Sequence, residues 1–367
     1  MNLTASIDED ISTSKPDTGS YEWWYFDARD HNGEYQIVVI FYEGCPFSSR
    51  YISQQDFNPG HVKSKASQYP AVSISLYKNG KTIYYSMSEY APSDATFSRN
   101  GISLRIAEHT LEGFIDENDR LVYALRLNEE LPGGDRISGM LRFSSPKPNK
   151  NLWKNLDRSQ AGDAAHQWNL VQPLAQVKGV LSVSKKDSFE KPVIFEGTGY
   201  HDHNIGREPM RKSFVDWYWG RIHFNEFTMV YYVMNQHKGK DYGAWLISVD
   251  NQQILDVSTS VRIDGMNVNG FGLSSARRLE FAFKEREITV LCNQILDNGP
   301  FYMRFRSEAR MQGGDHLEEK SFGISEYIHP DRIHWRIFWP MVHMRYRFAY
   351  DKPHWVQRSP MMYRWTW

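Results

Sequence analysis

From Tyr21 onward, short runs rich in Tyr, Phe, Val and Ile alternate with turn-forming residues. Runs of this kind, recurring about every ten positions, predict the strands of a sandwich or barrel, because β-branched and aromatic side chains suit a pleated, half-buried surface. The strands predicted in the first half are 23–27, 35–42, 71–78, 81–88, 103–107, 111–115, 120–127 and 138–144. Asn79-Gly80 falls between two of them and supplies the positive φ angles of a tight hairpin turn. Eight turn formers after Phe143, Ser-Ser-Pro-Lys-Pro-Asn-Lys-Asn, predict a loop. Helical periodicity is weak throughout and strongest over 54–67.

A faint internal repeat organises these runs. Glu22-Trp23-Trp24-Tyr25 followed by the apolar run 35–39 is echoed by Asp216-Trp217-Tyr218-Trp219 followed by 227–231. Each half is thus predicted to open with an acid-Trp-aromatic strand, a turn and a long apolar second strand. The chain has 367 residues, more than the roughly 250–300 at which single cores stop growing. Two β domains are expected, 21–196 and 215–330, joined by a glycine-rich junction 197–214. A polar arm, 1–20, is expected to be disordered, and a basic aromatic tail, 331–367, to follow the second domain.

Composition narrows the function classes. With 43 Lys+Arg against 44 Asp+Glu, no global field draws the protein to nucleic acid. Cys45 and Cys292 are too few for a disulfide framework and suit a reducing compartment. Residues 1–20 lack the apolar stretch of a secretory signal, and no run approaches the roughly 18 apolar residues of a membrane span. A cytoplasmic protein is expected, at most peripheral to the inner membrane. The aromatic content, 14% with 12 Trp and 21 Tyr, suits an apolar ligand cavity.

The densest polar cluster is Tyr200-His201-Asp202-His203-Asn204, bounded by Gly199 and Gly206. Hydrogen-bonding side chains in such a row are costly to bury unless they serve a site or bond a domain junction together. A second cluster is His166-Gln167-Trp168-Asn169. If both are strands, the period of two puts His166 with Trp168 on one face and Tyr200 with Asp202 on one face. The same alternation sends His201 and His203 to the face opposite Asp202. His201, His203 and a distant His166 have the composition of a three-His zinc site. No carboxylate or Cys spacing completes that set, so no metal is expected. The chain has no G-x-S-x-G elbow, phosphate-cradling loop or H-E-x-x-H.

These motifs carry a resemblance. Tyr21-Glu22-Trp23-Trp24-Tyr25, His166-Gln167-Trp168, Gly199-Tyr200-His201-Asp202-His203-Asn204 with Gly206, Trp217-Tyr218-Trp219-Gly220-Arg221 and Gly323-Ile324-Ser325-Glu326 occur in this order in proteins similar to carotenoid 1,2-hydratases. AttH-like proteins and, more distantly, tocopherol cyclases and fungal lipocalin-like Diels-Alderases resemble the same pattern. The resemblance implies two lipocalin-like antiparallel β domains, each a barrel or sandwich, with a ligand cavity. It implies His166, Trp168, Tyr200 and Asp202 as catalytic residues, with Trp23, Trp24, His203, Asn204, Trp217 and Trp219 against the substrate. The family string usually reads Asn-Trp-Gly where this chain has Asn204-Ile205-Gly206, which removes a Trp expected to shape the pocket.

The expected chemistry is addition of water to a terminal C=C bond of an isoprenoid or polyene without a cofactor. Asp202 would donate the proton, Trp168 and Tyr200 would stabilise the tertiary cation, and His166 would bond Asp202 or take the proton of the attacking water. A proton-initiated cyclase, a pericyclase and a non-catalytic carrier of apolar ligands are the alternatives. The tail from Arg332 to Trp367 interleaves seven Lys and Arg with five Trp against one acid. That composition suits a membrane interface, or alternatively arginines packed on aromatic faces that cap a domain.

Overall fold

The computed structural model describes residues 1–13, 15, 18–57, 64–154, 165–186, 188–189, 192–237, 239–313 and 318–367. The chain divides after Pro209 into two compact units, Met1–Pro209 with Trp339–Trp367, and Met210–Phe338.

Unit 1 begins with β1 (Asn2–Thr4), β2 (Tyr21–Asp30), β3 (Tyr35–Glu43), β4 (Ala71–Lys78) and β5 (Lys81–Glu89). It continues through β6 (Ala95–Phe97), β7 (Ser103–Ile106), β8 (His109–Ile115), β9 (Leu121–Glu130), β10 (Arg136–Ser145), β11 (His166–Lys185), β12 (Ser188–Phe189) and β13 (Val193–Gly206). Asn79 and Gly80 turn the β4–β5 hairpin with φ of 51° and 72°, as Asn-Gly turns do. Through the sheet the order is β5-β4-β3-β2-β13-β11-β10-β9-β8-β7-β6. Laid flat, so many strands at about 4.8 Å each would span roughly 50 Å. Instead Ile74, Leu76 and Tyr84 toward one end share one buried cluster with Leu104, Ile106 and Leu111 toward the other. The sheet is therefore a half-barrel curled on its own core. Polar groups help to join the ends: Glu129 of β9 accepts hydrogen bonds from Ser88 (2.5 Å) and Tyr90 (3.1 Å).

Unit 2 repeats the plan with β14 (Phe214–His223), β15 (Phe227–Gln236), β16 (Gly239–Ser248), β17 (Ile254–Val257), β18 (Ser260–Val268), β19 (Ser274–Ala282), β20 (Arg286–Asn298), β21 (Tyr302–Gly313) and β22 (Glu318–Ile328). Its order, β17-β16-β15-β14-β22-β21-β20-β19-β18, follows that of unit 1 from β5 to β8, and unit 1 continues with β7 and β6. In both, the opening strand pairs with the last long strand, β2 with β13 and β14 with β22. The acid-Trp-aromatic repeat in the sequence marks these two opening strands. Ala244 and Leu246 share a core with Leu279 and Phe281, so this sheet also curls.

Three expectations about segments change. Described residues of the expected disordered arm are placed in unit 1: β1 pairs in parallel with β11 (Asn2↔Gln167), and Asp10 is fully buried. Composition misleads there because one acid of the arm, Asp10, finds its partners, Tyr123 and His201, deep in unit 1. Residues 197–206 are not a linking junction but the second half of β13, hydrogen-bonded between β2 and β11. The tail is not a separate segment after Phe338. It returns to unit 1, where β23 (Arg347–Phe348) pairs with β5 and Tyr363 enters the core. Over 54–67, the expected helical stretch overlaps a helix at Ser49–Phe57, and part of it lies outside the described residues.

Candidate active site

Asp202 lies in β13 between Tyr25 of β2 and Leu170 of β11 in the ladder, so its neighbours are set by register. Three donors converge on its carboxyl. Trp168 Nε1 donates to Oδ2 at 2.7 Å, the Tyr200 hydroxyl donates to Oδ2 at 2.6 Å, and Asn204 Nδ2 donates to Oδ1 at 2.8 Å. Tyr200 and Asn204 sit two residues to either side of Asp202, where the pleat points them to the same face. Asp202, Trp168 and Tyr200 are all buried, at 3%, 2% and 0% exposure.

His166 joins this group through Asn204, whose side chain hydrogen-bonds it, and through the Tyr21 hydroxyl, 3.1 Å from Nδ1. Burial holds the imidazole well below its ordinary range, to about 3, so it is neutral at physiological pH. Trp23 completes the face, stacked on Tyr21 with ring centroids 5.2 Å apart and 5.9 Å from the His166 ring. Gly206 makes the Tyr21 position available, since a Cβ there would lie 2.0 Å from Tyr21 Cζ.

The long strand β11 reaches this face because it is bulged. Its pairing with β13 shifts register between Leu170 and Gln172 and again between Gln172 and Ala175, around Pro173. Proline lacks the N–H a regular ladder needs, so the strand bends there. Gln172 consequently pairs with His201 and bonds Leu121 O (3.1 Å) and Ser145 Oγ (2.9 Å) in the interior.

The opposite face of β13 carries a second, fully buried network. His203 contacts Glu22 Oε1 at 3.0 Å and stacks on Trp24 at 4.5 Å. His201 contacts Asp10 Oδ2 at 3.2 Å, lies 3.9 Å over Phe26, and shares Asp10 with the Tyr123 hydroxyl. Lys15 bridges Glu22 and Glu43. Against the downward pull of burial, Glu22 and Asp10 raise the His203 pKa, while His203 and Lys15 lower that of Glu22 in spite of its own burial. Histidine and carboxylate thus hold one another charged.

The expected site residues fall in three places. The structure brings His166, Trp168, Tyr200, Asp202, Asn204 and Trp23 together. It puts Trp24 and His203 on the other face of the sheet, in the ionic network. Trp217 and Trp219 belong to β14 of unit 2, on the face opposite its core residues Tyr218 and Ile222. Ile205 alternates to the His201 and His203 face, so a Trp at 205 would not stand beside Asp202. His166 lies on one face and His201 and His203 on the other, and no group of three His, Cys, Asp or Glu among the described residues is arranged to hold a metal ion. Tyr21, Asp10 and Trp153, 6.5 Å from Trp168, were missed. Tyr21 had a signal, since it is two residues from Trp23.

A family model described as carotenoid hydratase matches residues 43–352, which takes in β13 and all of unit 2. The chain belongs to the carotenoid hydratase family. Among curated relatives, one from Chlorobaculum tepidum named hydroxyneurosporene dehydrogenase is 30% identical over 343 residues, 90% of this chain and 88% of that one. An acyclic carotenoid 1,2-hydratase from Thiocapsa roseopersicina is 23% identical over 299 residues, 80% of this chain and 66% of that one. The crystal structure of CghA with Sch210972 superposes with a TM-score of 0.57 at 14% identity, covering 89% of this chain and 97% of that one. That likeness establishes the fold, and the two half-barrels of this hydratase-family chain are lipocalin-like.

Proposed function

We propose that this carotenoid hydratase family member adds water to a terminal C=C bond of an acyclic carotenoid-like isoprenoid, with Asp202 as the acid and no cofactor. The observation that carries the reading is the convergence of Trp168, Tyr200 and Asn204 on one buried carboxyl. An unactivated alkene needs a proton delivered to carbon, which water at neutral pH supplies far too slowly, so a positioned acid is required. The Asp202 carboxyl O–H breaks as a C–H bond forms at the less substituted alkene carbon, leaving a tertiary carbocation and a carboxylate. The indole of Trp168 and the phenol of Tyr200 place aromatic rings next to that carboxylate. Such rings stabilise a desolvated cation by about 2 kcal/mol or more. Water then bonds to the cationic carbon and returns one proton to the carboxylate, so the enzyme ends as it began and the product is a tertiary alcohol.

His166 is given a different part from the proton acceptor first expected. A buried imidazole with a pKa near 3 is a weak base, so we assign it to holding Asn204 and Tyr21 in place. Burial of a carboxyl favours its acid form, while donated hydrogen bonds, here from Trp168, Tyr200 and Asn204, favour the anion. The pH–rate profile reads the balance between them.

The test is the product of purified protein with an acyclic carotenoid. A gain in mass of one water supports the proposal. Loss of two hydrogens, in line with the name of the 30% identical Chlorobaculum tepidum relative, would replace it by a dehydrogenase. An isomer would replace it by a cyclase or pericyclase, and bound but unchanged substrate by a carrier.

A further inference from the structure

Much of the basic aromatic tail is engaged inside the fold. Arg364 binds Asp135 through three bonds of 2.6, 2.7 and 3.1 Å, Arg347 reaches Glu129 at 3.4 Å, and the Arg345 guanidinium lies 4.5 Å over the Tyr85 ring. Trp367 packs edge-on against Tyr363 at 5.7 Å. To this extent the tail is a domain cap.

A subset is left facing solvent. Trp355 is 59% exposed, Met361 77% and Trp365 85%, with Met362, Lys352 and Arg358 exposed among them. They come from the short turn Trp355–Arg358 and the helix Pro360–Trp365 that follows it. Asp351 is the one acid from Arg332 onward that belongs to unit 1, and it is bonded to Arg50 at 2.6 Å. Large apolar side chains are therefore set among cations with no Asp or Glu in the segment 352–367. Next to them, a cavity of about 340 Å³ is lined by Arg50, His343, Lys352, His354, Trp339 and Phe348, with Lys352 shared by the cavity and the exposed surface.

We propose that residues 352–365 form a docking surface for an anionic lipid leaflet, with the cavity beside them receiving a headgroup phosphate. Three considerations favour a membrane over a protein partner. Indoles and methionines interleaved with Lys and Arg suit the headgroup boundary, where the rings sit at the interface and the cations meet anionic lipid. The charged side chains of the segment are of one sign, which a leaflet complements everywhere and a protein patch only at matched positions. The third consideration rests on the proposed function: a long apolar polyene is dissolved in lipid, so an enzyme docked there meets its substrate without first extracting it into water. No helix among the described residues is long and apolar enough to cross a membrane, and docking needs none.

The experiment is flotation of the full chain with two kinds of vesicle, pure phosphatidylcholine and phosphatidylcholine carrying about a third phosphatidylglycerol, at low and high salt. The expected result is binding to the anionic vesicles that weakens in high salt. The double variant Trp355→Ser/Trp365→Ser should lower that binding at least tenfold. Lys352→Glu/Arg358→Glu should remove the preference for anionic vesicles. All four side chains are exposed, and unchanged melting temperatures of the variants verify that they fold. Failure of the wild-type protein to float, or equal flotation of wild type and the Trp double variant, overturns the proposal. Concentration-dependent self-association without flotation, seen by sedimentation velocity, would overturn it in favour of a protein interface. Turnover of substrate in detergent micelles is independent of docking: its absence counts against the hydratase reading alone, and flotation still decides this one.

Discussion

Replacing His166 by Gln should change how stability depends on pH, in a direction and size that the structure determines. In the folded chain burial keeps the imidazole neutral down to about pH 3, whereas the unfolded chain protonates it near the ordinary value of 6.5. Below 6.5 the unfolded state therefore binds a proton that the folded state does not. Stability from this source is complete above 6.5 and is lost as pH falls toward 3. Its slope is at most about 1.4 kcal/mol per pH unit, giving about 2 kcal/mol by pH 5 and about 5 kcal/mol in all. His203 works in the opposite sense, since its raised pKa stabilises the fold at pH below 6.5 and that contribution is lost as pH rises through the folded value. His203 is present in both proteins, so the difference between wild type and His166→Gln isolates His166. At pH 8 the variant should be less stable by about 1 kcal/mol, because it loses the Tyr21 bond. By pH 5 the order should have reversed. The assay is urea unfolding at pH 5, 6, 7 and 8. Parallel curves, with one stability difference at every pH, would refute the claim that His166 is held neutral by burial.

Two further outcomes follow from close packing and from the ionic network. Gly206→Ala should lower the melting temperature through overpacking of about 1–3 kcal/mol, since the new Cβ meets the Tyr21 ring, and adding Tyr21→Ala should recover part of the loss. An unchanged melting temperature in the single variant would show that Tyr21 does not sit against Gly206. Deletion of residues 1–12 should destabilise by about 3–5 kcal/mol, because it strips Asp10 from Tyr123 and His201 and leaves buried partners unmatched. A deletion that melts like the intact chain would restore the reading of these residues as a loose arm.

Much of unit 1 could be read in advance because strand patterns are local. The predicted strand 71–78 coincides with β4, and the Asn79-Gly80 turn has the expected backbone. Alternation separated Asp202 from His201 and His203 for a purely geometric reason, and paired Tyr200 with Asp202 for the same reason. What stayed hidden depends on distant partners. Nothing in the polar composition of residues 1–12 signals that Asp10 lies against His201, 191 residues away. The bulge at Pro173 was equally hard to place, since a proline says that a ladder is interrupted without saying which side chain turns inward. Asn204 looked like a substrate contact, yet its value comes from joining two groups, Asp202 and His166, that lie on different strands. The tail shows the limit of composition: its Arg and Trp residues read alike in sequence, but Arg364 is tied to Asp135 while Arg358 and Trp365 face solvent.

The central claim is that Asp202 delivers a proton to carbon, and the most direct test compares wild type with Asp202→Asn during turnover of an acyclic carotenoid in D₂O. The substitution keeps the size and polarity of the side chain but removes the transferable proton, so substrate affinity should be nearly unchanged while turnover falls at least a thousandfold, about 4 kcal/mol of transition-state stabilisation. Wild-type product should carry one solvent deuterium on carbon next to the new alcohol carbon, together with the added water. Full activity in Asp202→Asn, or a hydrated product without deuterium on carbon, would contradict the account.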